Sequence, residues 1–185
     1  MSAFEFFFSF YALLLGLCVA QIANGIGHAI VVRRESRFGW LTPVLATFVL
    51  MDLASFWVNA WQYQKAIGVS TVSIYAGMLI ALSYYIAVVL LFPPQQSDWS
   101  DLDNHYWANK KWVVLGVALA NAATFAWFVG SEVLRWPIQG YLVLALYWTP
   151  LVLLFASRRK WLDGVCFALL IFAYVIGVLA EIFGA

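Results

Sequence analysis

Apolar residues run along the chain in six nearly uninterrupted stretches, separated by short clusters of charged residues, proline and glycine. The stretches cover residues 4–32, 39–62, 69–92, 112–134, 137–157 and 161–183. Each supplies about the 20 apolar residues that an α-helix needs to cross a hydrocarbon core. A transmembrane β-barrel would instead show segments of about ten residues in which apolar and polar residues alternate, and the stretches here are continuously apolar. The pattern predicts an all-α protein, a six-helix transmembrane bundle that occupies residues 1–185 as one domain.

The composition agrees with this prediction and excludes several other classes of protein. Hydrophobic residues make up 65% of the chain and charged residues only 10%, where a soluble domain carries roughly 25% charged residues. A soluble globule and a disordered chain are both excluded by this balance. The chain has ten basic and nine acidic residues. It therefore lacks the excess of positive charge that is typical of a nucleic-acid-binding protein. We expect the partners to be the lipid bilayer and other membrane chains.

The basic residues predict which way the bundle faces. Only Lys65 and Arg135 lie in loops on one side, and the other eight lie on the opposite side: Arg33, Arg34, Arg37, Lys110, Lys111, Arg158, Arg159 and Lys160. Loops rich in Lys and Arg stay in the cytoplasm. Both termini are therefore expected on the non-cytoplasmic side, most simply of a bacterial inner membrane. The N-terminus lacks a basic region and a cleavage site, which indicates a retained first span rather than a signal peptide.

The longest connection, residues 93–111, is predicted to be cytoplasmic and partly helical. It begins with Pro93 and Pro94, which end the third span. Ser100 as N-cap and Asp103 three residues later resemble a capping box. This spacing predicts a short interfacial helix that leads into the fourth span.

Small residues recur every fourth position in several spans, and such rows let helices approach closely in lipid. The third span has Ser73, Gly77 and Ala81. The fourth span has two rows, Gly116/Ala120/Thr124 and Ala118/Ala122/Ala126/Gly130. We expect the fourth helix to be the most central one, and the bundle to be compact.

Eight polar residues are predicted near the middle of the spans, and Asp52 is the only carboxylate among them. The set is Gln21, Asp52, Ser83, Tyr84, Asn121, Thr124, Tyr147 and Thr149. An aspartate at the bilayer centre costs about 2.5–3.5 kcal/mol on insertion scales. Asp52 must therefore be protonated, hydrated or paired with a cation, which indicates proton or ion handling. The alternative is a protonated Asp52 that holds neighbouring helices together.

Two polar stripes extend from this depth. Asp52, Ser55, Asn59 and Gln62 follow helical spacing towards the outer end of the second span. Gln21, Asn24 and His28 do the same towards the cytoplasmic end of the first span. If the two helices lie side by side, the half-stripes form one polar path across the bilayer. Polar packing between helices is the alternative.

Other candidate groups carry weaker signals. His28 near the cytoplasmic interface is suited to a pH gate, and Gly25 and Gly27 beside it leave space for a flat macrocycle. Glu5, Glu132 and Glu181 fall at the outer ends of spans, where acidic residues concentrate cations. The loop residues Asp98, Asp101, Asp103 and His105 lack the spacing of a metal site, so no metal and no cofactor are expected.

The sequence favours a small membrane channel or transporter for protons or a small cation, assembled as a homo-oligomer. The alternative is a non-transporting accessory or assembly subunit of a larger membrane complex, of a pigment or electron-transfer kind. No His-Glu-x-x-His, Gly-x-Ser-x-Gly or glycine-rich phosphate loop is present. We therefore expect a protein that is not an enzyme.

Overall fold

Six helices make up the fold. A computed structural model describes residues 3–32, 39–62, 70–94, 99, 101–130 and 138–184. Within these ranges the helices are α1 (Ala3–Val32), α2 (Leu41–Gln62), α3 (Thr71–Val89), α4 (Leu102–Gly130), α5 (Ile138–Ala156) and α6 (Lys160–Phe183). Five of them coincide closely with a predicted apolar stretch, whereas α4 begins ten residues before the stretch predicted at 112–134. The all-helical prediction with six helices is confirmed for these residues.

Four of the described helices are long and apolar enough to cross a membrane. They are α1, α2, α3 and α6, with apolar segments Glu5–Val31, Leu41–Gln62, Thr71–Val89 and Lys160–Ala180. The apolar part of α5, Tyr141–Ala156, is shorter. Exposed large side chains such as Leu13, Val72 and Phe172 cover the outside of the bundle. An apolar exterior on long apolar helices is what a lipid environment requires.

The helices close into a ring in the order α1, α3, α4, α5, α6 and α2, and α2 also contacts α4 across the ring. Side-chain contacts join those helix ends that lie next to most of the basic residues. Thr42 at the start of α2 donates to the carbonyl of Leu102 at the start of α4, and His105 contacts the carbonyl of Leu90 after α3. We call this the basic end of the bundle.

Small residues line the contact between α3 and α4. Gly116 of α4 faces Ala87 of α3, and a Cβ atom added to Gly116 would lie 2.8 Å from the Ala87 Cβ and 3.0 Å from the Ser83 carbonyl oxygen. Gly77 of α3 similarly faces the Phe7 ring of α1. The predicted rows on α3 and the first row on α4 therefore pack as expected. Gly16 of α1 and Gly177 of α6 instead face open space.

The start of α4 differs by one residue from the prediction. The Asp101 carboxylate accepts the backbone N–H of Asn104 at 3.0 Å, so Asp101 caps the helix. Ser100 lies outside the described residues. The predicted interfacial helix and the fourth span form one continuous helix of 29 residues. Tyr106 and Lys110 therefore lie on the same helix as Asn121.

Candidate functional site

Asp52 lies in the middle of α2 and points into the bundle. Its side chain is 1% exposed. The ring of Phe48 lies one turn towards the basic end, and the ring of Phe56 lies one turn towards the opposite end. Both phenylalanines are buried. Apolar walls on both sides along the same helix isolate the carboxylate in a medium of low dielectric constant, where it needs hydrogen-bond donors.

Four donors from four different helices meet this carboxylate. Tyr147 of α5 and Tyr174 of α6 donate to Oδ1 at 2.8 and 2.5 Å. Tyr84 of α3 and Asn121 of α4 donate to Oδ2 at 2.6 and 3.0 Å. Together with α2, five of the six helices contribute to one centre, which we call the Asp52 centre and define by these five residues. No α1 side chain is among these donors.

The Asn121 amide is fixed by more than the carboxylate. Its Nδ2 also lies 3.0 Å from the Val117 carbonyl oxygen one turn earlier, and 3.1 Å from the Tyr84 hydroxyl oxygen. Tyr84 therefore accepts from Asn121 while donating to Asp52. The ring of Phe56 packs edge-on against Tyr84 with centroids 5.6 Å apart. These contacts hold the donors in place around the Asp52 carboxylate.

The arrangement suits a carboxylate that gains and loses a proton. An ionised carboxylate only accepts hydrogen bonds, whereas a protonated one must donate one. A tyrosine hydroxyl can reverse its role and accept that bond, but an asparagine NH₂ group cannot. The three tyrosines therefore let the centre accommodate both charge states. The Asn121 amide stays a donor in both.

Four of the five members of this centre were predicted to lie deep in the spans, but only Asp52 among them was predicted to be part of the polar path. Asp52, Tyr84, Asn121 and Tyr147 belong to the predicted set of deep polar residues, and the structure brings them together. Tyr174 was missed, although it lies near the middle of the sixth apolar stretch. Of the rest, Ser83 and Thr124 donate to carbonyl oxygens one turn earlier on their own helices, and Thr149 is exposed.

The structure does not bring the two predicted half-stripes together. Gln21 and Asn24 are exposed on the outer face of α1, because α1 turns its opposite face inwards, with Tyr11, Leu15, Cys18 and Ile22 buried. On α2, Ser55 donates to the Asp52 backbone carbonyl at 2.8 Å. Asn59 and Gln62 are exposed. The described residues of one chain thus do not place a polar path along α1 and α2.

His28 is half-buried at the basic end and packs edge-on against Trp99, with ring centroids 4.4 Å apart. The neighbouring Gly25 accommodates the Phe92 ring, which would lie 2.1 Å from an added Cβ atom. An aromatic side chain of the protein thus fills the space that the sequence suggested for a macrocycle at Gly25.

The predicted acidic mouth falls mostly outside the described residues. Glu5 is exposed in the first turn of α1. Glu132 lies in a segment outside them, and the side chain of Glu181 is likewise not described. Within the described ranges, no group of three or more His, Cys, Asp or Glu side chains is placed to hold a metal ion. Asp101 instead caps α4, and Asp98 falls outside these ranges.

A second buried polar cluster, which sequence reasoning missed, lies at the basic end. Lys110 of α4 and Asp163 of α6 are 2% and 0% exposed, and their Nζ and Oδ2 atoms lie 2.6 Å apart. Tyr106 donates to the same Oδ2 at 2.8 Å, and Lys110 donates to the Ser157 carbonyl at 2.7 Å. The Lys110 ammonium also lies 4.3 Å from the centroid of the Trp107 ring.

Burial is the main influence on the pKa values in this cluster. The cluster lies before Trp112, where the apolar part of α4 begins. Burial lowers the pKa of the Lys110 ammonium, and the Asp163 carboxylate opposes that shift. Burial also raises the pKa of the Tyr106 hydroxyl, and its hydrogen bond to Asp163 adds to the effect. Both shifts express the cost of charge in an apolar setting. The pair is therefore buried at a cost in desolvation that an ordinary surface ion pair does not have.

Comparison with known proteins adds no further assignment: no family model, no curated protein and no solved structure matches this chain.

Proposed function

We propose that this chain is an integral membrane protein that moves protons, with Asp52 as the proton-binding site midway across the bilayer. The six helices span the membrane with both termini on the non-cytoplasmic side, so the basic end faces the cytoplasm. The observation that carries the proposal is the buried carboxylate of Asp52, held by three hydroxyl groups and one amide. Ionisable groups inside a bilayer are costly, and they mark proton and ion routes.

The donor set favours protons over a metal cation within the broader class of proton or small-cation transport. All four contacts on Asp52 are donors directed at its oxygens. A cation bound at the same oxygens would have to displace them, because cations need acceptor oxygens. A proton needs only a reversal of one tyrosine hydroxyl. The same logic argues against a purely structural carboxylate, since a neutral amide would join helices at lower cost.

The route from the centre to the outer face is proposed along α2. Ser55 is already hydrogen-bonded next to Asp52. Asn59 and Gln62 continue along α2 towards the end opposite the basic one, where they are exposed in a single chain and would line the route against a second copy. The acidic residues Glu5, Glu132 and Glu181 are proposed to line the outer mouth. The α1 residues Gln21, Asn24 and His28 lack a place beside Asp52 in one chain. The inner half of the route therefore needs a different set of residues.

Flux in proteoliposomes tests this proposal. Purified protein is reconstituted, a pH gradient or a K⁺ gradient is imposed, and internal pH is followed with a trapped dye. We expect dissipation of the pH gradient by the wild-type chain and its loss in Asp52→Asn. The exposed cap variant Asp101→Asn serves as the matched control with unchanged flux. A folded wild-type protein that moves no protons in either ionic condition would refute the proposal.

The accessory-subunit function remains the second candidate, because one observation favours it. Gln21 and Asn24 place two amide side chains on the outer face of α1, where lipid offers no hydrogen-bond partner. A neighbouring membrane chain, or a second copy of this one, would satisfy them. Gln21→Leu/Asn24→Leu should then weaken assembly in native membranes without changing the thermal stability of the isolated chain. Assembly that is unaffected by this variant would remove the argument.

A further inference from the structure

Helices α4 and α6 each contribute one residue to the basic end and one to the Asp52 centre, with the same spacing between the two residues. On α4, Lys110 and Asn121 lie about three turns apart, and on α6 Asp163 and Tyr174 have the same spacing. Lys110 contacts Asp163, while Asn121 and Tyr174 meet at Asp52. The two helices thus run parallel, with two polar levels roughly 16 Å apart along one shared face.

The lower of these levels contains an unsatisfied buried atom. Oδ2 of Asp163 accepts hydrogen bonds from Lys110 and Tyr106, whereas Oδ1 is fully buried and has no hydrogen-bond partner among the residues that the structure describes. Buried polar atoms are nearly always paired with protein or with water. A carboxylate oxygen with free lone pairs at the basic end is an acceptor suited to a water molecule and to the proton that it carries.

An apolar layer separates the two levels. Phe167 and Leu170 of α6 are buried between Asp163 and Tyr174, and the Phe48 ring of α2 packs at 6.1 Å from Phe167 and 6.5 Å from Tyr174. Continuous proton transfer along this face is therefore blocked in the structure as it stands. Passage requires water to enter between α4 and α6, which are joined at the basic end by the hydrogen bonds of Lys110 and Tyr106 to Asp163.

We propose that the buried Lys110–Asp163 pair is the cytoplasmic entrance to the Asp52 centre, at which Oδ1 of Asp163 takes protons from water and returns them. This inference rests on the proposed function and replaces the α1 stripe as the inner half of the route. In the loading step an O–H bond forms at Oδ1 and breaks in the donating hydronium ion. Lys110 keeps its own proton. In the release step the O–H bond at Oδ1 breaks and an O–H bond forms in a water molecule on the side of the Asp52 centre.

The chain supplies a matched control for this pair. Asp103 and Lys160 form a second ion pair between the same two helices, but Lys160 is 54% exposed and Asp103 is 33% exposed. Substituting both pairs in the same way, Lys110→Met/Asp163→Leu and Lys160→Met/Asp103→Leu, removes the same charges at the two positions. A buried ion pair can often be replaced by apolar residues without loss of stability, so the first variant should still fold.

Two readouts separate this inference from the proposed function. The first is proton flux, which should fall by roughly a hundredfold in Lys110→Met/Asp163→Leu and stay unchanged in the surface-pair variant. The second needs no transport. Cys166 lies one turn after Asp163 and is 1% exposed, so its labelling by a small water-soluble methanethiosulfonate reports water entry. Labelling should fall severalfold in the apolar variant, while buried Cys18 reports whether the fold is intact.

A polar variant separates water entry from protonation. Lys110→Gln/Asp163→Asn keeps hydrogen-bonding groups at the entrance, so Cys166 labelling should persist while proton flux is lost. A folded Lys110→Met/Asp163→Leu variant with wild-type Cys166 labelling would overturn the entrance. So would full flux in Lys110→Gln/Asp163→Asn. Absence of flux in the wild type would refute the proposed function alone, because Cys166 labelling would still decide whether water enters here.

Discussion

Tyr174 of α6 donates a hydrogen bond to the Oδ1 atom of Asp52 on α2, at the centre of the bundle. The tyrosine shares this oxygen with Tyr147 of α5. Two phenols on one carboxylate oxygen join three helices through a single atom. The consequences of this geometry for stability, for proton binding and for helix packing are testable separately.

Removing one phenol hydroxyl from the Asp52 centre should destabilise the bundle. Hydrogen bonds to charged groups contribute about 1.5–3 kcal/mol, so Tyr84→Phe, Tyr147→Phe and Tyr174→Phe should each lower the free energy of unfolding by about that much. Tyr84→Phe should have the largest effect, because Tyr84 is completely buried and also accepts from Asn121. Thermal unfolding in detergent measures this.

Tyr85 provides the control for the phenol series. It is the next residue on α3 and is 41% exposed, so Tyr85→Phe should change stability by less than about 0.5 kcal/mol. Equal effects of Tyr84→Phe and Tyr85→Phe would show that Tyr84 does not bind a buried charge. Double variants of the three centre tyrosines should be non-additive, because they share one acceptor.

Asn121→Asp should make the stability of the bundle depend on pH. The substitution places a second carboxyl group at about the hydrogen-bonding distance from Asp52, and two carboxylates this close cannot both ionise at low cost. The variant should be strongly destabilised at neutral pH and regain stability as pH falls and one proton is shared. Asn104→Asp, at an exposed position of the same helix, is the control. Stability that does not respond to pH in Asn121→Asp would mean that residues 52 and 121 do not meet.

Gly116→Val should separate α3 from α4. The added side chain would meet the Ala87 Cβ atom and the Ser83 carbonyl, and backbone atoms cannot move aside as a flexible side chain does. We expect a loss of about 1–3 kcal/mol in unfolding free energy. Gly27 faces open space and provides the control. Gly27→Ala should be neutral or slightly stabilising, since alanine favours the helix. A tolerated Gly116→Val would contradict the close approach of these helices.

The proposed orientation predicts which engineered cysteines react from outside the cell. Ser70 at the start of α3 and Arg158 after α5 are both exposed, and they lie at opposite ends of the bundle. Ser70→Cys should react with an impermeant maleimide on intact cells, and Arg158→Cys only after lysis. The natural cysteines are buried, and labelling of the wild-type chain under the same conditions gives the background to subtract. The reverse labelling pattern would place the termini in the cytoplasm.

The helices were predictable because length and hydropathy alone determine where an apolar segment begins and ends. The faces of the helices were not predictable in the same way. Gln21 and Asn24 follow helical spacing, but that spacing does not say that α1 would turn Tyr11 and Ile22 inwards instead. Which face is buried depends on the neighbouring helices, and α1 packs with α2 and α3.

There are also physical reasons why some residues of the two polar clusters were not predicted from the sequence. Tyr174 was overlooked because an aromatic residue in an apolar stretch is commonly a packing residue, and only its hydroxyl links it to Asp52. Lys110 was assigned to a loop because it is followed by Lys111. Helix α4 begins at Leu102, however, so Lys110 lies inside a helix and one of the two lysines turns inwards. Asp163, three residues into α6, was the signal that a buried partner was present.

The account depends most on Asp52 gaining and losing a proton within the folded bundle. Infrared difference spectroscopy of the reconstituted protein, titrated in pH, measures this at the carboxyl group itself. We predict a protonated carboxyl C=O band that grows as pH falls, shifts in Tyr147→Phe and Tyr174→Phe, and is missing in Asp52→Asn. Wild-type and Asp52→Asn spectra that are identical at every pH would contradict the account, because Asp52 would then hold one protonation state throughout.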